Sequence, residues 1–442
     1  AGQALLYRSR SRAAPFLLEV NCDPARLGLT GYPTARRYAA VPLCQHLLGY
    51  LDGTGHGAAG LEKALDAVLS GTGEHSSLVC AVTAQGTLRT GETPKLLQAD
   101  SGALGVQLTI SRPVQRAVEA VASTTMQSGC ILVLDTATAA VRASVSVPGY
   151  DPEHLADSLQ AANSPFLNRA LQSYAVGSVF KPVLAAAALE AGLQPVFECT
   201  GAVVVDGQIF RCAGGVPHGQ VDLAAALEKS CNGYFICLGQ QLGAEKLLDA
   251  AQAFGFGQSL PLAEGLAAEA GQLPAPQELV QSGQLANFSF GQGSLLATPM
   301  QIAALFNTIA ADGVYRAPYV LQATLDETTG QPVEPLSHPR GRRVLPAQSA
   351  AFLRTMLVQV VQQGTAQDAA GVSGGAGGKT GTAQTGQFTP EGTERCNLWF
   401  AGFWPAEKPR YTVVVLQDGA VHTAYSGAAI FAQVCAALEA AG

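Results

Sequence analysis

Tyr174-Ala-Val-Gly-Ser-Val-Phe-Lys-Pro182 places Ser178 and Lys181 three residues apart, where a helix is expected to begin. Positions i and i+3 lie on one helical face. A serine hydroxyl is a weak nucleophile until a neighbour takes its proton, and an amine in a partly desolvated pocket can take it. The spacing alone is a weak signal, because Ser-x-x-Lys recurs by chance about once in a chain of this size. Its setting adds weight. Gly177 lets the backbone bend sharply into the helix, Pro182 falls in the first turn where a missing N–H breaks no bond, and an apolar run from Val183 to Leu189 follows. Ser178 is thereby expected at the positive end of a buried helix, where developing negative charge is stabilised.

The chain around it has 442 residues, 48% hydrophobic and 13% charged, enough for a large core and two or three domains. A net charge of −7, with no basic cluster longer than Arg340 to Arg343, argues against a nucleic-acid partner. Lysine is scarce: Lys63, Lys95, Lys181, Lys229, Lys246, Lys379 and Lys408 are all there are. A lysine inside a motif therefore stands out. The ten cysteines stand singly with no Cys-x-x-Cys pair, so no metal site is expected. Cys199 and Cys212 flank a hairpin signal whose Asp206-Gly207 turn sets Cys212 opposite Gly201. A disulfide between them would need a bulge or another register. No apolar run of about 18 residues occurs, and no basic-then-apolar segment opens the chain. A membrane anchor, if the native protein has one, would precede Ala1.

Patterning changes near residue 110. Before it, strand-like pieces (residues 13–20 and 47–50) and a Gly-rich stretch at 53–60 lead to a helical pattern over Leu61–Leu69 and short strands over 76–110. After it, a helix over Pro113–Ala122 leads to an apolar strand, Cys130–Leu134, and a second strand, Val141–Val147. Residues 178–310 are mostly helical and alanine-rich. Strand patterns return at Lys379–Ala383, Asn397–Phe403 and Tyr411–Leu416, and a helix pattern closes the chain over Ala428–Ala440. Strands at both ends with helices between predict one α+β domain whose terminal segments share a sheet.

Two further motifs fall inside that domain. Ser230-Cys231-Asn232 precedes an apolar stretch; alone, such a triplet is more often a helix cap. Lys379-Thr380-Gly381-Thr382 is entered through Gly374-Gly-Ala-Gly-Gly378. It is no phosphate loop, because the first glycine of Gly-x-x-x-x-Gly-Lys falls on Ser373 and a strand pattern, not a helix, follows. Serine-x-x-lysine, serine-x-asparagine and lysine-threonine-glycine, in that order, form the signature of penicillin-binding proteins and class A β-lactamases.

On these motifs the chain resembles the monofunctional, class B penicillin-binding proteins, which are peptidoglycan D,D-transpeptidases. Ser289-Phe-Gly-Gln-Gly293, Ala297-Thr-Pro-Met-Gln301 and Asn397 through Val415 resemble other segments of that family. The resemblance implies an α+β transpeptidase domain over 111–442, with a central antiparallel sheet flanked by helices plus an all-helical part. It also implies a non-catalytic N-terminal α/β pedestal over 1–110, where His46–Tyr50 and Gly60-Leu-Glu62 carry a looser likeness. The family's Arg-Gly-x-Ile-x-Asp-Arg-Asn-Gly opening of the pedestal is absent. Cys231 within the second motif, with His218-Gly219 upstream, is similar to the sporulation-type branch.

The roles implied are these. Ser178 attacks the penultimate D-alanine carbonyl of a stem peptide ending in D-Ala-D-Ala and releases the terminal D-alanine. Lys181 takes the serine proton, its pKa depressed by burial and by Lys379. Ser230 relays the proton, Asn232 holds Lys181 and the substrate backbone, and Lys379, Thr380, Gly381 and Thr382 receive the terminal carboxylate. The amides of Ser178 and Thr382 form the oxyanion hole. No metal or organic cofactor has a role. β-Lactams are expected to acylate Ser178, and a polytopic glycan polymerase is an expected partner at the outer face of the bacterial cytoplasmic membrane. A deacylating glutamate in a Glu-x-x-Leu-Asn setting is missing: Glu264, Glu269 and Glu278 all lack it. Two alternatives remain: a D,D-carboxypeptidase or β-lactamase, and a non-enzymatic sensor or scaffold.

Overall fold

The computed structural model describes residues 37–441 apart from positions 40, 72–76, 88, 90, 98–101, 162, 327 and 328. Its centre is a five-stranded antiparallel sheet. The strands are β1 (Gly129–Asp135), β2 (Val141–Val147), β3 (Gly377–Phe388), β4 (Glu394–Trp404) and β5 (Tyr411–Ala420), in the order β3-β4-β5-β1-β2. The two ends of the domain thus meet where β5 pairs with β1, Val413 opposite Val133. Continuous apolar runs such as Cys130–Leu134 are buried along their whole length because helices cover both faces.

Helices α1 (Arg112–Thr125) and α6 (Gly427–Ala440) pack together on one face, where Phe431 meets Phe400 at 4.7 Å between ring centroids. On the other face lies α4 (Pro299–Ala310), every residue of which is buried. Its Thr298-Pro-Met-Gln301 start is a capping box: Thr298 Oγ1 accepts from the Gln301 amide and the Gln301 side chain accepts from the Thr298 amide. Asn307 fastens it to the sheet by accepting from the Thr412 hydroxyl at 3.0 Å. The all-helical part includes α2 (Lys181–Ala191), α3 (Asn232–Leu242) and α5 (Ala347–Gln362). Below the sheet edge, Arg169 is buried and pairs with Asp418 at 2.9 Å while donating to the carbonyls of Asn163 and Ser164.

The segments read as strands at 130–134, 141–147, 379–383, 397–403 and 411–416 all lie in this sheet. The hairpin register also holds. Ala202 pairs with Arg211 and the Cys212 amide donates to the Gly201 carbonyl, so Cys212 stands opposite Gly201. The strand-like reading of Leu47–Tyr50 fails, because Gln45–Leu48 is a helical turn with Leu47 buried. An apolar run this short carries no usable period, and packing decides its conformation. Tyr50 instead joins an aromatic cluster with Tyr150 and Phe166. The strand expected over 13–20 lies outside the described residues. Around residue 110, the strand Leu104–Leu108 pairs with Leu321–Asp326, and the Thr109 amide donates to the Val320 carbonyl.

Candidate active site

Three elements converge on Ser178. The first is its own segment. Gly177–Phe180 forms a 3-10 turn that leads directly into α2, with Pro182 in the first helical turn. Gly177 sits at φ +66, a conformation glycine adopts without penalty, and its amide donates to the Gly291 carbonyl at 2.8 Å. Ser178 is half-buried, whereas Lys181 behind it is fully buried.

The second element is the Ser230-Cys231-Asn232 corner that opens α3. Lys181 Nζ donates to the Ser230 carbonyl at 2.7 Å, to Ser230 Oγ at 3.1 Å and to Asn232 Oδ1 at 2.7 Å, and it lies 5.5 Å from the Phe235 ring centroid. Asn232 is oriented in turn by donating from Nδ2 to the Arg211 carbonyl. Ser230 holds φ +55, a left-handed conformation that costs a non-glycine residue roughly 1–2 kcal/mol. That strain turns both the carbonyl and the hydroxyl of Ser230 toward one amine.

The third element is β3, an edge strand whose inner side pairs with β4 and whose outer side faces the serine turn. A methyl group at Gly177 would stand 2.6 Å from the Thr382 carbonyl oxygen, and one at Gly381 would stand 3.1 Å from the Val179 amide nitrogen. A side chain at Gly177 would clash outright, and one at Gly381 would force its neighbours back by a few tenths of an ångström. Because a strand residue's N–H and C=O point the same way, the Thr382 amide also faces the turn. Along β3 Lys379 is fully buried, Thr380 half-buried and Thr382 exposed, and the Lys379 amine comes round the edge strand to within 3.5 Å of the Thr380 hydroxyl. Lys379 Nζ reaches the Thr380 carbonyl at 3.2 Å, and the Thr380 hydroxyl shares a hydrogen bond with Thr365 Oγ1 at 2.7 Å.

All the residues singled out in the sequence are therefore brought to one place, on three elements far apart in the chain. One physical cause differs from expectation. Burial lowers the Lys181 pKa to about 7, and the Lys379 charge is not among the causes. Lys379 itself is held well below the usual lysine range, by burial first and then by the charge of Lys181. Two buried amines this close cannot both keep their protons cheaply.

Sequence reasoning missed two features. The close approach at Gly177 is one. The other is a set of side chains beneath the second motif. Cys199, Cys212, His218 and Cys231 bring their ligand atoms within 4.8 Å of one another, although no spacing in the chain announces it. The expectation that no metal site would form rested on spacing alone, and this convergence of four side chains is what spacing could not show. Cys199 and Cys212 are not bridged, their sulfurs being 3.7 Å apart.

Gly177→Ala is expected to push β3 off the serine turn. The rate of acylation by a fluorescent penicillin should fall about 100-fold, as for a misplacement near 1 Å, and thermal unfolding should report a loss of roughly 1–3 kcal/mol.

Comparisons with known proteins agree with this arrangement. Residues 129–437 match the penicillin binding protein transpeptidase domain. The chain is 33% identical over 438 residues to the peptidoglycan D,D-transpeptidase PbpA of Mycolicibacterium smegmatis, covering 91% of this chain and 82% of that protein. It superposes on the D,D-transpeptidase domain of a peptidoglycan glycosyltransferase from Eggerthella lenta with a TM-score of 0.76 at 27% identity, covering 92% and 93% of the two chains. On penicillin-binding protein A from Mycobacterium tuberculosis, acylated by penicillin G, the TM-score is 0.73 at 26% identity, covering 90% and 91%. With the three motifs gathered at one sheet edge and the match extending over most of its length, this chain belongs to the penicillin-binding protein transpeptidase family, as a class B member.

Proposed function

We infer that the site cross-links peptidoglycan, with Ser178 carrying the acyl group and Lys181 serving as its base. The chain is a serine-type D,D-transpeptidase. The observation that carries the residue assignment is Lys181 Nζ: it is buried, three residues from Ser178, and held by three oxygens of the second motif.

An ammonium would spend all its protons on those three oxygens. The neutral amine, favoured by burial, has one proton fewer and offers a lone pair. The longest contact, to Ser230 Oγ, is the one the neutral amine gives up, which leaves its lone pair open to the Ser178 proton. Ser178 Oγ then gives its proton to Lys181 as it bonds to the penultimate D-alanine carbonyl carbon. The amides of Ser178 and Thr382 receive the oxyanion, each worth about 3 kcal/mol. Collapse breaks the peptide bond, the proton passes through Ser230 to the departing D-alanine nitrogen, and an ester remains. An amine from a second stem peptide attacks that ester and restores Ser178. Lys379, Thr380 and Thr382 take the terminal carboxylate. Its negative charge draws a proton onto Lys379, and that positive charge in turn keeps Lys181 neutral. A β-lactam opens on Ser178 without losing a leaving group, so its ester stays in place.

The division into a pedestal over 1–110 and a transpeptidase domain over 111–442, the extracytoplasmic placement and a glycan-polymerase partner belong to the same reading. No helix among the described residues is long and apolar enough to cross a membrane.

A thioester analogue of the stem peptide, offered with and without a D-amino acid, tests the function. Acyl transfer to the D-amino acid at the expense of hydrolysis is expected. Hydrolysis unaffected by the acceptor would indicate a carboxypeptidase, rapid multiple turnover of nitrocefin a β-lactamase, and no turnover a scaffold; each would displace the transpeptidase reading.

A further inference from the structure

We propose that Cys199, Cys212, His218 and Cys231 form a closed zinc site that clamps the Ser230-Cys231-Asn232 corner against the hairpin beside it. The ligands come from four segments. Cys199 ends the strand Phe197–Cys199, Cys212 follows the hairpin Ala202–Val205/Gln208–Arg211, His218 precedes the strand Gly219–Val221, and Cys231 caps α3. All four ligand atoms lie within 4.8 Å of one another, and three of the six edges have the lengths of a zinc tetrahedron. Bond lengths of about 2.3 Å for Zn–S and 2.0–2.1 Å for Zn–N imply S···S edges near ~3.8 Å and S···N edges near ~3.6 Å. The observed values are 3.7 Å for Cys199–Cys212, 3.9 Å for Cys212–Cys231 and 3.4 Å from Cys199 Sγ to His218 Nδ1. Three sulfurs and one imidazole in that geometry favour zinc over harder cations, and four protein ligands leave no open position. The role is structural.

A disulfide explains the cluster less well. The Cys199–Cys212 sulfurs sit well beyond a bond of about 2.05 Å. A bridge between any two of the cysteines would also leave the third thiol and His218 without a purpose. The surroundings suit bound thiolates: the backbone amides of Gly233 and Asn232 point at Cys212, and the Tyr234 amide points at Cys231 Sγ. The His218 amide donates to the Cys199 carbonyl, and Lys229 Nζ to the His218 carbonyl, so the His218 backbone is fixed on both sides. Binding would release the thiol protons to solvent and requires no oxidant or reductant.

The consequence for the reaction is positional. Cys231 lies between the two residues that grip Lys181, and Cys212 follows Arg211, whose carbonyl orients Asn232. A metal bond on each would hold Ser230 in its left-handed conformation and Asn232 at its Lys181 contact. His218 and Cys199 touch no reacting atom and act only through that clamp.

The test uses the full chain purified reduced and without chelator. One zinc per chain is expected by plasma mass spectrometry. Cobalt(II) replacement should give the visible bands of a tetrahedral site with thiolate charge transfer in the near ultraviolet. Cys199→Ser and His218→Ala should each weaken zinc binding by at least about 100-fold. Zinc-stripped wild type should be acylated more slowly by a fluorescent penicillin and recover when zinc returns, with the loss in acylation rate rather than in binding of the penicillin. The proposal is overturned if wild type with free thiols, incubated with zinc and then freed of excess, holds no metal, if the Cys199→Ser/His218→Ala double variant keeps it, or if the native chain carries a Cys199–Cys212 disulfide instead. Metal bound with acylation unchanged would overturn the clamp. The cobalt spectrum needs no variant to fold, and metal content is independent of whether the enzyme transfers, hydrolyses or only binds.

Discussion

Ser178→Ala is expected to remain folded and to take up no β-lactam. Wild type incubated with penicillin should gain one acyl adduct in its intact mass and hold it, because none of Glu264, Glu269 or Glu278 stands in the setting that activates water in a β-lactamase. Turnover of the thioester analogue should fall by about 10⁴-fold or more, since removing a nucleophile leaves only binding and the oxyanion hole. The turn itself should tolerate the change. Ser178 is half-buried, and the 3-10 turn is held by Gly177 and by Val179 and Phe180, both fully buried. A Ser178→Ala protein that still accepts the label would move the nucleophile elsewhere and end this assignment.

Lys181 should set the pH dependence of the same step. Its pKa in the folded protein is about 7, lowered from 10.5 by burial. As base it must be neutral, so the acylation rate should rise about tenfold per pH unit below pH 7 and level off above it. The sign follows from the direction of the shift: an unperturbed lysine would be protonated throughout this range and the rate would still be climbing at pH 9. Lys181→Met should lower the rate by about 10²–10⁴-fold and erase the inflection near pH 7. Lys181→Arg should do the same, since a guanidinium does not give up its proton in proteins. An inflection that survives in either variant would assign the base to another group.

Much of this was legible from residues alone. The central sheet could be read because buried strands such as Cys130–Leu134 and Tyr411–Leu416 are continuous apolar runs with turns on either side. The Asp206-Gly207 turn fixes its hairpin register by local geometry, which is why Gly201 could be placed opposite Cys212. Leu47–Tyr50 could not be read: three hydrophobic residues and a glycine are compatible with strand or helix, and the burial of Leu47 is a tertiary fact. The cause of the Lys181 shift was misread for a related reason. The presence of Lys379 could be seen in the chain, but the depth at which each amine is buried could not.

What the sequence by itself determined is which chemical groups the protein owns and in what order: a serine three residues before a lysine, a serine-cysteine-asparagine corner and a lysine-threonine-glycine strand. Local rules suffice for those, because capping, turn preference and apolar period act over a few residues. Tertiary structure alone decided that Lys181 Nζ sits among three oxygens, that Gly177 must lack a side chain to meet Thr382, and that three scattered cysteines and a histidine point at one another. Burial, close approach and convergence from distant segments are set by how the whole chain packs, and no local pattern encodes them.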